Sequence, residues 1–590
     1  MAGLDHVPVD PRHLVEIVEE AVHAEVLAVD TETTGFDTKP HETLRGVSFS
    51  YRVNGELRDW YVPLTHPGGR NFSPAPIRAL LDETDALVCM HNAPFDMNIL
   101  TQIDVTPVRE GHLYDTQVGD WLIDENLNHK LKDGLGVRYF GEDAMIEKEA
   151  LAQITHDTGR DFPTFTCRDI AEYAAMDTNL TYRCFERQLE VMGKRPDDPT
   201  PDLRRELQLQ HVTAKMLRTG IRVDTERAEG QYAAALARRD ELREVFAGTN
   251  MNSAKQVGNL IYGDWGLEPY LRTPGGKRST SKEALEPHAE VDPRVAMVLE
   301  HRRMDKACSG FYKPLAKYVA DDGRIHPSMS SARTKTGRFT CSDPNLQTIP
   351  REDVLKGIRA CFIPADGKEL WEYDLDSAEL RIIGAITREE ALFSAMAEGR
   401  DLHSETAASV FGPDFTGLQR RLAKNMNYGY PYFIGADKLA RYLAAGPPRR
   451  VMTPALIGEA KRMKQRYAKT YPRMTAIMGV LKDMAERDGF LPLHKPGRFR
   501  RFRTNREGPK YYTALNALVQ GAVAEVMKDL MLEVAGNVDG IMCLQVHDSL
   551  VLEVEPGDGE QVQKQLQGIL DEINPFPQMP MPISAKKWGT

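Results

Sequence analysis

The stretch ELWEYDLDSAELRIIGAI, residues 369–386, reads as an apolar strand that turns into a helix, with Asp374 at the end of the strand. A second stretch, IMCLQVHDSLVLEVE at 541–555, reads as two short strands around a tight His-Asp-Ser turn, with Asp548 at its centre. Carboxylates on neighbouring strand ends can hold two divalent cations. Such a pair can activate an attacking hydroxyl while gripping a phosphate chain. These two stretches predict an α+β unit with an acidic metal site.

Between them, RRLAKNMNYGYPYF at 420–433 reads as a helix. Arg420, Lys424, Tyr428 and Tyr432 follow at four-residue steps and are expected on one face. Two cations there suit a triphosphate, and two tyrosines can stack on a base pair. The plain alternative is an amphipathic surface helix. Pro431 lacks an N–H and is expected to kink the helix before Tyr432. Nearby, KPGRFRRFRTNREGPK at 495–510 carries seven cations and one acid, and KRMKQRYAKTYPR at 461–473 carries six cations and no acid. Such runs are usually solvated faces, but flanking this site they can neutralise phosphates.

The N-terminal third has a different character. Residues 1–190 hold 34 Asp and Glu against 16 Lys and Arg, whereas the other 400 residues hold 52 against 59. An acidic module thus precedes a mildly basic body, a sign asymmetry that points to a polyanion held by the second part. GKRPDDPTPDL at 193–203 reads as the linker. In the acidic module, VDTETTGFD places Asp30 and Glu32 two apart, on one face of a strand. HNAPFD ends in Asp96, and YAAMD sets Tyr173 four residues before Asp177 on one helical face. Oxygen ligands suit hard cations such as Mg²⁺. Two such ions about 4 Å apart can activate a water against a phosphodiester.

Length and composition agree with a folded, multidomain chain: 590 residues, 41% hydrophobic and 27% charged. No apolar run is long enough to span a membrane and no signal peptide is visible. Seven scattered cysteines, with no CxxC pair, argue against structural zinc and disulfides and lead us to expect a cytoplasmic setting.

TKTGRFTCSDPNLQTIP at 334–350 resembles the TGR…PNLQ…IP signature of family A DNA polymerases. YDLDSAELR (373–381), RRLAKNMNYGYPYF and LQVHDSLVLEV (544–554) then resemble that family's motifs A, B and C, in order. The 20–190 region resembles the DEDD exonucleases in their tyrosine variant. These resemblances imply an α/β, RNase H-like 3′→5′ exonuclease domain over 1–195. An α+β, right-hand-shaped polymerase domain would follow over 205–590, with a thumb near 205–335, fingers near 416–490 and a palm in the remainder. They imply polymerase catalysis at Asp374 and Asp548, and proofreading at Asp30, Glu32, Asp96, Tyr173 and Asp177. All these acids would be metal ligands, with two Mg²⁺ per site and Mn²⁺ as an alternative.

The resemblance also assigns Arg420, Lys424, Tyr428, Tyr432, His403 and Glu379 to the nucleotide, Glu379 as the steric gate beneath the sugar. Arg338, Asn345, Gln347, Asn516, Gln520, Gln545 and His547 fall to the primer–template duplex. Asp376 matches a non-ligand position. The implied partners are primer–template DNA, dNTPs and other replisome proteins, with no membrane and a monomeric enzyme. A phage-type replicative enzyme in the host cytoplasm, without a 5′-nuclease domain, is the expected context. Two departures stand out: Ser549 replaces the usual motif C Glu, and Phe433 stands where Gly is usual. A nuclease with a DNA-gripping C-terminal half and a single-subunit RNA polymerase are the rival classes. Intact Asp374 and Asp548 argue against the first. Glu379 and the exonuclease motifs argue against the second.

Overall fold

A computed structural model describes residues 5–34, 43–106, 108–160, 164–194, 200–246, 248–273, 275–352, 354–445, 450–503 and 508–589. Linker residues 195–199 and basic-run residues 504–507 lie outside these.

The first domain is built on five strands: β1 (Val26–Thr33), β2 (Leu44–Val53), β3 (Glu56–Pro63), β4 (Leu87–Met90) and β5 (Leu113–Asp115). Their order in the sheet is β3-β2-β1-β4-β5, with β1 antiparallel to β2 and parallel to β4. VLAVDTET is almost wholly buried, as a central strand covered on both faces must be. Its central place brings Asp30 and Glu32 to the middle of the sheet. Helix α1 (Ala93–Ile99) follows β4 and carries Asp96, and α2 (Thr116–Ile123) follows β5. Helix α3 (Cys167–Met192) starts on a Thr166–Asp169 capping box and carries Tyr173 and Asp177.

Helix α4 (Pro201–Thr219), capped by Thr200, leads into the second domain. This helix ends at Gly220, where φ is +57°, and a short strand at Ile221–Val223 follows. The second domain centres on β6 (Glu369–Leu375), followed by helices α5 (Ala378–Thr387), α6 (Leu402–Phe411), α7 (Gly417–Gly429) and α8 (Ala514–Asn537). Strands β7 (Ile541–Val546), β8 (Ser549–Val554) and β9 (Ile583–Lys587) complete a four-stranded sheet in the order β7-β8-β6-β9. Both the strand-to-helix turn at 369–386 and the hairpin at 541–555 therefore form as expected.

The expected kink at Pro431 does not occur, because α7 stops at Gly429. The Ile434 N–H closes back onto the Gly429 carbonyl at 2.8 Å, and Phe433 takes a φ of +56°. Pro431 thus sits in the turn that ends the helix, where its missing N–H costs nothing. Tyr432 consequently lies beyond the helix and not on its face.

The domains meet across buried charge. Lys528 on α8 bonds both carboxylate oxygens of Glu206 on α4, at 2.8 and 2.9 Å, and both residues are wholly buried. Arg205 joins Asp202 at 3.0 Å and bonds Glu525, and Arg498 lies 3.5 Å from Asp202. The acids Asp202, Glu206 and Glu525 converge closely enough for a metal, but three cations already neutralise them. Arg498 and Lys528 also cover the ring of Trp121, from the first domain, at 3.9 and 4.6 Å. Further out, Arg500 and Arg501 pair with Glu125 at 2.8 and 2.9 Å, and Arg503 pairs with Asp124. The described part of the 495–510 run is therefore corrected from an open phosphate-binding strip to a domain clamp. Arg500, Arg501 and Arg503 are spent on acids of the first domain, and Arg498 on the acids of α4 and α8.

All seven cysteines are buried and unpaired. Among the described residues no helix is long and apolar enough to cross a membrane.

Candidate active sites

In the first domain, carboxylate oxygens of Asp30, Glu32 and Asp177 lie within 4.8 Å of one another. Strand alternation supplies the first two, and a turn of α3 brings the third across. Asp96 stands beside them but is not in this group. Its Oδ1 accepts from the Thr31 N–H at 3.0 Å and from the Thr31 hydroxyl at 2.6 Å. Thr31 lies between the two strand acids, so Asp96 is held against the same strand end.

Lys132 completes the cluster, and its position was not foreseen from sequence. Its Nζ lies 2.5 Å from Asp177 Oδ1 and 3.2 Å from the centre of the Tyr173 ring, with the side chain almost fully buried. The segment around it is a wide, π-helical turn, Leu131–Gly136, in which a Cβ on Gly134 would stand 2.3 Å from the Asn128 carbonyl. Buried Asp120 anchors that segment, accepting from the His129 ring at 2.6 Å and from Arg138. The only signal in the sequence is a lysine beside two glycines in an acidic module, too common to single out.

Close carboxylates in a buried site hold their protons. Burial, then the charges of Asp96 and Glu32, keeps Asp30 well above the ordinary carboxylate range. Glu32 is pushed up to about 8 by burial and by Asp177. Asp96 rises to about 7 because burial outweighs the Thr31 hydrogen bonds. A divalent cation fits this donor set, since it would replace the protons and relieve the repulsion.

A stability profile follows. Between an ordinary carboxylate pKa near ~4 and about 8, the folded state keeps protons that the unfolded chain has released, so stability falls as pH rises through this window. In chelator, the melting temperature is expected to fall from about pH 5 to about pH 8, and a divalent cation should flatten the slope. Melts of the parent and of Asp30→Asn/Glu32→Gln isolate the cluster; identical slopes in chelator would contradict the assignment.

In the second domain, Asp374 lies opposite Ser549 across the β6–β8 pair, and the Leu375 N–H bonds the Asp548 carbonyl at 3.0 Å. The two acids are thus neighbours. Asp374 is raised to about 6 by burial and then by Asp548, and burial also raises Asp548. Ser549 is buried and donates to the Val546 carbonyl at 2.9 Å, with Glu372 Oε1 at 3.5 Å. Glu372 is therefore a third carboxylate near Asp374, two residues earlier on the strand. Arg359 at 2.8 Å and Lys586 at 2.9 Å already neutralise it. A Glu in place of Ser549 would be buried against it.

Arg420, Lys424 and Tyr428 are exposed along α7, and partial burial, then the charges of nearby Glu379 and Asp548, raises the Tyr428 hydroxyl above its ordinary range. Arg420 is paired with Asp401 at 2.6 Å. His403, on α6, meets the Tyr428 ring at 5.9 Å between centres and bonds Asn427 at 3.0 Å. Glu379, in the first turn of α5, accepts the Tyr432 hydroxyl at 2.6 Å and the Arg338 guanidinium. Leaving the helix is what lets Tyr432 reach Glu379.

The residues expected at a duplex divide into two groups. Asn345 and His547 are exposed, while Asn516 and Gln520 are half-buried one turn apart on α8. Gln347 and Gln545 are instead buried. The Gln347 amide donates to Gln545 Oε1 at 3.1 Å, and the Gln545 amide donates to the His547 carbonyl at 2.6 Å. Arg338 is engaged by Glu379. Three of the seven therefore spend donors inside the protein, which residue type alone could not show.

The chain resembles known proteins in sequence and in fold. The chain is 31% identical over 582 residues to DNA polymerase I of Pseudomonas aeruginosa, covering 91% of this chain and 60% of that protein. It is 29% identical over 611 residues to DNA polymerase I of Rhizobium leguminosarum, covering 95% and 58%. The chain therefore spans about three-fifths of the length of these curated relatives. Its fold matches the POL domain of Pol1 from M. smegmatis, solved in complex with DNA primer-template and dNTP, with a TM-score of 0.77, 22% identity and 99% of each chain covered. Residues 6–192 match the 3'-5' exonuclease family, and residues 224–589, well over half the chain, match DNA polymerase family A. The protein belongs to DNA polymerase family A and carries a 3'-5' exonuclease domain ahead of its polymerase domain.

Proposed function

We propose that the chain is a DNA-directed DNA polymerase that extends a primer 3′-OH with dNTPs, and that its first domain removes mispaired 3′ ends. The observation that carries this reading is the pairing of Asp374 with Asp548 at the sheet end, with Tyr428, on the same exposed helix face as Arg420 and Lys424, close enough to feel the Asp548 charge. Thumb, fingers and palm correspond to about 205–335, 416–490 and the remainder. Magnesium, bound by Asp374 and Asp548 or by Asp30, Glu32 and Asp177 with Asp96 beside them, would supply Lewis acidity that activates the primer hydroxyl or a water.

The remaining work falls to the chain's own groups. Arg420 and Lys424 neutralise the triphosphate, which requires Arg420 to exchange Asp401 for phosphate. His403 and Tyr428 border the nucleotide together. In the first domain, Tyr173 orients the attacking water, and Lys132 offsets negative charge around the scissile phosphate. Primer extension by the purified chain with Mg²⁺, run with dNTPs, with rNTPs and with neither, tests the reading. Extension with dNTPs alone and 3′ degradation without nucleotide are expected. Degradation without any extension would favour the nuclease alternative.

Glu379 is the sugar gate in this scheme, held rigid by Tyr432 and Arg338. Glu379→Ala is expected to raise rNTP incorporation relative to dNTP by about tenfold or more, as removal of a shape-selecting contact does. Single-nucleotide kinetics check this, and an unchanged ratio would withdraw the gate.

A further inference from the structure

Helix α2 belongs to the exonuclease domain, yet the polymerase segment 330–338 lies on it. Ser330 Oγ donates to Gln117 Oε1 at 3.3 Å. Ala332 shares an apolar cluster with Val118 and Trp121. The indole N–H of Trp121, a fully buried side chain, donates to the Thr334 carbonyl at 2.8 Å. Gly337 takes a φ of +80°, and a Cβ there would meet the Trp121 ring at 3.5 Å and Arg498 at 3.2 Å. The turn is thus pressed between the indole and the buried cations. It closes on itself where the Thr334 hydroxyl donates to the Arg338 carbonyl at 2.9 Å. Arg338 leaves this turn to bond Glu379.

The other end of α2 is fixed as firmly. Asp115 caps it, accepting from the Gln117 N–H at 2.8 Å. The same carboxylate accepts from the Asn92 and Ala93 N–H groups, at 3.1 and 2.8 Å, where α1 begins. Helix α1 carries Asp96. The seat of the 330–338 segment is therefore held at both ends, and its fixing at Asp115 does not depend on the indole.

We infer that Trp121, a residue of the exonuclease domain, is a positioning residue for sugar selection at the polymerase site. It fixes the 334–338 turn, and with it the pose of Arg338 on Glu379. The inference rests on the polymerase reading above. A residue that merely glued the domains together would change stability but not the choice between ribose and deoxyribose.

Trp121→Phe keeps an aromatic ring and removes the N–H; Trp121→Ala removes both. Steady-state kcat and KM for a matched rNTP and dNTP give the ratio, and single-strand degradation reports whether the exonuclease domain is intact. We expect the rNTP/dNTP ratio of kcat/KM to rise about threefold in Trp121→Phe and about tenfold in Trp121→Ala, on the scale of one lost hydrogen bond and of that bond plus packing. Degradation should stay within about twofold of the parent, because the indole touches no exonuclease ligand. In a Glu379→Ala background neither change should move the ratio further, because the group being positioned is gone.

An unchanged ratio in Trp121→Phe, or an equal rise with and without Glu379, would overturn the inference while leaving the polymerase reading in place. Absence of any incorporation by the parent would overturn both. If Trp121→Ala fails to fold, Trp121→Phe alone decides.

Discussion

Asp30→Ala combined with Glu32→Ala is expected to cut 3′-end degradation by about 10³-fold or more, as losing several kcal/mol of metal-borne stabilisation implies. Primer extension should remain near the parental rate. Asp374→Ala or Asp548→Ala should do the reverse. The expectation rests on two acidic clusters built from different sheets, each complete within its own domain. The exonuclease changes carry a second signature. The cluster acids repel one another and resist burial, so their removal should raise stability in chelator while activity is lost. A misfolded variant could not show that combination. Degradation assays on a single strand, extension assays and melts in chelator measure all three quantities. If either pair of changes removed both activities from a folded protein, the separation of sites would be wrong.

The second large effect is at the domain junction. Lys528→Met is expected to cost about 3–5 kcal/mol, because it strands the buried carboxylate of Glu206 without its two short hydrogen bonds. Burial raises the proton affinity of Glu206, but Lys528, Arg205 and Arg498 together lower it by more, so the carboxylate is charged in the native protein. Arg205 still reaches Glu206 at 2.9 Å and recovers part of the loss. Adding Glu206→Gln to Lys528→Met should recover more, because no uncompensated charge then remains. Urea titrations of the two single variants and the double variant measure the coupling. A loss below about 1 kcal/mol in Lys528→Met would mean that the remaining arginines suffice.

The elements carrying the candidate acids were readable because chain periodicity and acid placement agree there. VLAVDTET must be a central strand, and an acid pair two apart on such a strand must share a face. The same holds for Asp374 at the end of β6 and Asp548 in its hairpin. What escaped reading depends on tertiary partners. Lys132 reaches the acids only because Asp120 anchors a turn nearby. The run at 495–503 has the composition of a phosphate-binding strip, but Asp124 and Glu125, more than 370 residues away in sequence, claim its arginines. Gln347 and Gln545 look like groove readers by type and satisfy each other inside the protein instead. The end of α7 turns on Pro431 standing after Gly429 and not within a continuing helix.

The clamp between the domains bears on how this chain trades salt for DNA. A cation strengthens polyanion binding largely by releasing ions condensed on the phosphates, and each engaged phosphate adds to the salt dependence. Arg498, Arg500 and Arg501 made their exchange during folding, with carboxylates in place of phosphates. They strengthen the domain junction and add little to the ion release on binding. On the proposed reading as a polymerase, salt sensitivity on DNA is thus set by cations that remain exposed, such as Lys424 and those of the 461–473 helices. A count of its basic residues overstates it.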